Sequence, residues 1–451
     1  MRSAFKIIIA LGLIPLFALS LFCSGPAGEK DYNKFVHETL PNGLNLIIKY
    51  NPDSRVYAIN ILGKDRSLLE PEGKDGITDF VNRMLVKGAD GMDANEVQNS
   101  LDDIGAEITA NDNPYIPYDD RYTSTAYSFI KFETIDEYAY DGTKLFYRIV
   151  SKPDFPDDEI GQTMQKVMGL LGMKSGSTYQ NARDLCYENL FADFPFSKAV
   201  MGNRGSIMRF TREDLADHHK RFYAPNNMIM AIATNVDPDT VKSWVYETFG
   251  KMEKSNQDYP SLGMPAKLGG RAEVNHEMDK EQIYIYLGSL CPGLKSPDAP
   301  AIDMAASIIS SRMKENLREK QGLAYSVGMG VSFMPEFGWL IASMGTGFEN
   351  YDIARDGMIA EMNKLKNELP TEEELKKAQN STWGSMLLAR ASRINQAYYM
   401  CKNEFLGVGY DYEDDYISKI RKVTPADIQR VVQDYFDTEN MVIASAGKKV
   451  G

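Results

Sequence analysis

Two hydrophobic periods alternate along the chain. LNLIIKY, from Leu44 to Tyr50, and VYAINILG, from Val56 to Gly63, are short, nearly continuous apolar runs rich in branched residues. Each predicts a strand. Asn42-Gly43 before the first run is a hairpin signal. QIYIYLGS, from Gln282, repeats the strand pattern later in the chain. Helical spacing appears in GITDFVNRMLVKG, residues 76–88, where Ile77, Phe80, Val81, Met84 and Leu85 follow i, i+3, i+4, i+7, i+8. That is one buried stripe of an amphipathic helix. Asp79, Asn82 and Arg83 fall off the stripe. Asp79 and Arg83 are four residues apart and are expected to pair across one turn. An exposed pair of that kind contributes about 0.2–0.5 kcal/mol. Thr371 with Glu374, after Pro370, predicts a further helix start through a capping box.

The pattern repeats. TREDLADHHKRFYAPNNMIMAIA begins at Thr211 and TPADIQRVVQDYFDTENMVIASA at Thr424. Aligned without gaps, Asp214 matches Asp427, Asn227-Met228 matches Asn440-Met441, and Phe222-Tyr223 falls on Tyr435-Phe436. Each copy reads as a capped helix followed by a strand. The chain is therefore expected to be α+β: two homologous α/β sandwich halves, each a mainly antiparallel sheet with helices packed on it. Strand pairs mixed with long helices do not fit a βαβ dinucleotide-binding sheet. Residues 251–271, rich in Pro, Gly and polar residues, are expected to link a domain at 35–250 to one at 272–451.

Composition narrows the functions. The chain of 451 residues carries 63 acidic and 50 basic residues, a net charge of -13. No nucleic acid partner is expected, and a membrane only through a lipid anchor, because both polymer and lipid surfaces are anionic. At the N-terminus, Arg2 and Lys6 precede an apolar run from Ile7 to Phe22 that is short for a spanning helix. It reads as an export signal over 1–22, with 23–34 as a tether. Ser20-Leu21-Phe22-Cys23 is similar to a lipoprotein box with Cys23 as the lipidated residue, although Phe22 is bulky for it. Ala18-Leu19-Ser20 offers ordinary cleavage instead. Either way the mature protein is expected outside the cytoplasm, in a bacterial periplasm. Cys186, Cys291 and Cys401 are widely separated with no Cys-x-x-Cys, and buried small hydrophobes are expected there.

The helix at 76–88 resembles the active-site helix of the pitrilysin and insulinase family of zinc peptidases, whose pattern is Gly-x-x-His-x-x-Glu-His-Met-x-x-Lys-Gly. Gly76, Met84, Lys87 and Gly88 match. The family's two zinc histidines and its catalytic glutamate fall on Asp79, Arg83 and Asn82. A permanent cation repels a divalent metal and has no lone pair to offer it. The family's third ligand, a glutamate on a later helix, has no counterpart, since no acid follows Glu159 until Asp184. No cofactor is expected on this chain, and none of His37, His218, His219 and His276 forms an i, i+4 pair.

ENLREKQGLAYSVGMG, from Glu315, is similar to the family's Arg-Glu-Lys-x-Gly-Leu-Ala-Tyr segment. In two-chain members, one chain carries zinc and the other supplies this arginine and tyrosine. The resemblance places those roles on Arg318 and Tyr325. It implies a substrate-binding, non-catalytic subunit of an exported heterodimeric zinc metallopeptidase, inactive alone, half of a clam-like chamber for unstructured peptides. The zinc would sit on a partner bearing the intact motif. SLDDIGAEITAND contains the strand that pairs with substrate in the family, which points to Ala110 and Asn111. One departure is the missing glycine-rich turn, as Ile309 runs straight into Ser310-Ser311-Arg312. The aromatic stretch YIPYDDRYTSTAYSFIKFETIDEY, from Tyr115, reads as a surface hairpin or a lid. The competing reading is a peptide-binding or scaffold protein without an enzymatic partner.

Overall fold

The computed structural model describes residues 34–111 and 124–448. The export signal, Cys23 and residues 115–123 of the aromatic stretch lie outside the described residues, and the rest of that stretch includes the strand Tyr127–Ile135.

Two sheets dominate. The first has the strand order Phe35–Thr39, Asn45–Tyr50, Met228–Thr234, Val56–Lys64, Tyr127–Ile135, Glu107–Thr109. The second runs Ser326–Phe333, Phe337–Gly347, Gln282–Pro292, Val442–Gly447, Ala272–Glu277. Asn45–Tyr50 lies parallel to Met228–Thr234, and Ala272–Glu277 lies parallel to Val442–Gly447. Every other pairing is antiparallel. Leaving aside the added Phe35–Thr39, the sheets share strand order, direction and order along the chain. The sequence repeat at Thr211 and Thr424 is thus the visible part of a repeat that spans both halves. Both threonines form the expected capping boxes, with Asp214 and Asp427. The Asn42-Gly43 turn closes the predicted hairpin, with Thr39 opposite Asn45.

The apolar runs are continuous because both faces of each sheet are covered. Leu46, Ile48, Met230 and Ile232 face the first half's own helices. Their neighbours Ile47, Ile229 and Ala231 face a core shared between the halves. The second sheet alternates likewise, with Ile283, Ile285 and Ile443 inward and Tyr286, Val442 and Ala444 in the shared core.

That shared core is built by exchange of helices. Thr178–Phe191, from the first half, lies on the second sheet, where an added Cβ at Gly288 would come within 2.8 Å of Cys186 Sγ. Trp339 Nε1 donates to the Tyr187 hydroxyl at 3.0 Å. Arg393–Phe405, from the second half, lies on the first sheet. Its Cys401 thiol donates to the carbonyls of Asn60 and Ile229, and Arg393 donates to those of Val56 and Asn51. The hydroxyls of Tyr127 and Tyr398 share a hydrogen bond of 2.7 Å across the junction. Cys186, Cys291 and Cys401 are all buried thiols, as the spacing predicts.

Candidate functional site

The helix Ile77–Met84 follows Gly76, whose φ of 84° favours glycine. An added Cβ at Gly76 would stand 2.4 Å from the backbone of Met201 and Gly202. The carboxylate of Glu70 caps this helix by accepting from the N–H groups of Gly76 at 3.0 Å and Thr78 at 3.3 Å. Glu70 is itself held by Arg66, whose Nη1 donates at 3.1 Å to Glu70 Oε1 and to the Val200 carbonyl. Burial pushes the Glu70 carboxyl above its usual range and Arg66 opposes the shift.

Asp79, Asn82 and Arg83 were expected on an exposed helix face, and the structure corrects this. Asp79 is 6% exposed and Asn82 3%. The helix is covered on both sides because strand Tyr127–Ile135 and helix Arg212–Phe222 close over its polar face. Arg83 and Asp79 do pair, with Nε to Oδ2 at 2.7 Å and Nη2 to Oδ1 at 3.1 Å. Asn82 donates to Ser128 Oγ at 2.7 Å and accepts from the Tyr223 hydroxyl. Every polar atom of the three positions that face inward therefore has a protein partner. His218 and His219 diverge: His218 Nε2 bonds Thr78 Oγ1 at 2.8 Å, and His219 Nε2 donates to the Val150 carbonyl at 2.7 Å.

These residues do not fit a zinc ion. Both Asp79 oxygens are taken by the Arg83 guanidinium, a permanent cation with no lone pair to offer a metal. On the helix Asp157–Ser175, Glu159 lies 3.7 Å from Lys87, and Asp184 on the next helix pairs with Lys174. What remains beside the motif is a cavity of about 10 Å³, room for one water, lined by Arg66, Asp79, Asn82, Ala110, Asn111 and Ser128 among others. Ala110 and Asn111 follow the edge strand Glu107–Thr109 directly, so the chain does bring them to the altered motif.

Arg318 and Tyr325 lie elsewhere. Helix Ala299–Met313 continues without a break, in keeping with the missing glycine turn, into a π-helical segment Lys314–Lys320. Buried Leu317 anchors that segment, and its carbonyl accepts from Leu323 N at 2.9 Å. Gly322, with φ of 66°, turns the chain toward the edge strand Ser326–Phe333. Arg318 is exposed, and Tyr325 is 84% exposed. Neither side chain has a hydrogen bond or ion pair among the described residues, and neither lines the cavity at Asp79. π-Helical turns recur at functional sites because they re-aim side chains that an α-helix would bury.

The sequence reading missed Arg66, Glu70, Ser128 and Tyr223. A signal for Tyr223 was present: its repeat partner is Phe436, so a hydroxyl stands only in the copy that must satisfy Asn82.

Comparison with known proteins agrees with this architecture. Residues 209–382 match the family model described as the peptidase M16 inactive domain. An uncharacterized zinc protease of Rickettsia felis is 24% identical over 90% of this chain and 94% of its own. The chain is similar to the M16 peptidases. Among solved structures, an M16 inactive domain from Pseudomonas fluorescens superposes with a TM-score of 0.84 at 18% identity, over 93% of this chain and 99% of that one. A chain of complex III2 from Candida albicans gives 0.75 at 16% identity, over 91% and 95%. These structures share the two-half fold of this chain across low sequence identity.

Proposed function

We propose that this protein is the substrate-binding, non-catalytic subunit of an exported two-chain zinc metallopeptidase, and that Arg318 and Tyr325 act at the zinc site of a partner chain. One contrast carries the reading. The motif positions Asp79, Asn82 and Arg83 are closed off by buried partners, while Arg318 and Tyr325 project into solvent without any among the described residues. Within one chain the two groups do not meet, so a function for the second needs another molecule.

Peptide hydrolysis passes through a tetrahedral oxyanion. A guanidinium fork and a phenol hydroxyl are suited to donate hydrogen bonds to it, and losing one such donor typically costs about 10²–10³ in rate. Ala110 and Asn111, beside the free edge of the first sheet, would hold an extended peptide through main-chain hydrogen bonds. Cys23 would anchor the subunit to a membrane. The test is peptide hydrolysis by an intact M16 relative from the same genome with and without this chain. Activation that is lost in Arg318→Ala supports the subunit reading. Absence of both activation and co-elution supports the scaffold reading instead.

A further inference from the structure

A second cavity, of about 740 Å³, opens between the two halves, and its lining includes none of Asp79, Arg318 and Tyr325. Its size falls in the range of about 300–1,000 Å³ usual for ligand pockets. The first half contributes residues 124–127, Arg183 and Tyr187, and helices and strands of the second half supply most of the wall, so both halves complete it.

The charge of this cavity opposes that of the chain. Against a net charge of -13 for the whole protein, its walls carry Arg183, Lys314, Arg390 and Lys402 but only the acids Asp303 and Glu413. Both acids are engaged. Glu413 accepts from Arg390 Nε at 2.8 Å and from Asn403 Nδ2 at 2.7 Å. Asp303 accepts from the Tyr416 hydroxyl at 2.8 Å, and burial pushes its carboxyl up, toward the neutral form. Lys402 has no carboxylate partner and no hydrogen-bond acceptor among the described residues. Its burial, with Arg390 nearby, pulls its ammonium down to about 8. A desolvated ammonium without a counter-ion is costly, and a bound anion removes that cost.

The remaining walls indicate the body that goes with the anion. The Tyr399 ring lies against the Arg390 guanidinium at 3.9 Å, which fixes an aromatic surface beside Lys402. Trp339 and Met329 add apolar surface. Ser307, Ser310 and Ser311 stand at i, i+3, i+4 on helix Ala299–Met313 and line the cavity, where a packed helix would carry apolar residues; Ser311 Oγ donates to the Ser307 carbonyl at 3.1 Å. Hydroxyl oxygens on such a face are able to accept from main-chain amides of a ligand.

We infer that this cavity binds a carboxylate joined to an apolar or aromatic body, with Lys402 as the ionic anchor. Lys314 is solvent-exposed, which leaves Lys402 as the desolvated ammonium of these walls, and the aromatic and apolar surface beside it suits a carboxylate on an apolar body better than a phosphate. Two sources share this chemistry, a peptide C-terminus and a free organic acid.

Binding is measured on this chain alone, so the inference stands or falls separately from the two-chain reading. The probes are a pentapeptide ending in a phenylalanine carboxylate, the same peptide as its C-terminal amide, and free 3-phenylpropanoate, each titrated by calorimetry. The expected result is binding of at least one acid, with the amide at least tenfold weaker than the peptide acid if the peptide is the ligand. Lys402→Met abolishes the preference for acid, and Lys402→Arg keeps it. Thermal unfolding of both variants establishes that the fold is intact. Binding of phenylpropanoate without the peptide identifies the free acid as the source. Equal binding of acid and amide, binding unchanged in Lys402→Met, or no binding by any probe overturns the inference.

Discussion

Arg83 grips the carboxylate of Asp79, one turn before it on the same helix, through two hydrogen bonds of 2.7 and 3.1 Å. The two side chains form an internal ion pair at the positions that the resemblance assigns to metal ligands. Because Asp79 is 6% exposed, this pair is worth more than its exposed equivalent. Asp79→Ala leaves a largely buried guanidinium without its partner and is expected to cost about 3–5 kcal/mol in urea unfolding. Asp79→Leu with Arg83→Met removes both charges and is expected to recover most of that loss. A single-variant loss below about 1 kcal/mol, the value for surface pairs, would show that the pair is solvated.

The buried histidines make stability depend on pH. Burial holds His218 down to about 3 and His219 to about 4. In the unfolded chain both imidazoles take up a proton near pH 6.5. Their contribution is therefore complete above pH 6.5 and is lost progressively as pH falls toward 4. Below pH 6.5 the slope approaches about 1.4 kcal/mol per pH unit for each histidine, which integrates to about 4 kcal/mol for the two between pH 7.5 and 5. Unfolding free energies measured between pH 7.5 and 5 are expected to fall by this order. In His219→Gln the slope is expected to be about halved. A flat profile would mean that water reaches both rings.

The helix exchange predicts a coupled pair. A methyl group at Gly288 would lie 2.8 Å from Cys186 Sγ and 3.3 Å from Leu190 and Ile341. Gly288→Ala is expected to cost about 1–3 kcal/mol through overpacking. Adding Cys186→Ala removes the closest atom and is expected to return most of that loss. Additive effects in the double variant would place helix Thr178–Phe191 away from the second sheet.

Local chemistry made much of the fold legible. The two capping boxes, the Asn42-Gly43 turn and the apolar strands are each specified by neighbours in sequence, and each stands as read. The repeat was visible only in its last helix and strand, because the burial pattern of the other strands is kept while their residues are not. The helix exchange had no local signal. Tyr127 and Tyr398 are 271 residues apart, and nothing near either one indicates the other. The polar face of helix Ile77–Met84 was misread for the same reason, since the groups that bury Asn82 come from Ser128 and Tyr223. A helical stripe identifies a buried face and is silent on whether the opposite face is covered.

The proposed role of Arg318 and Tyr325 separates activity from stability. Both side chains are exposed and unpartnered among the described residues, so Arg318→Ala and Tyr325→Phe are expected to change the unfolding free energy by less than about 0.5 kcal/mol. A larger loss would assign them a structural role.

The most direct measurement is the peptide-hydrolysis rate of a zinc-loaded M16 relative from the same genome, titrated with this protein and with its Arg318→Ala variant. A saturable rise is expected with the native chain, together with co-elution of both chains with the relative and a rate about 10²–10³ lower for the variant complex. Equal activation by the native and Arg318→Ala chains, or no activation together with no complex, would contradict it.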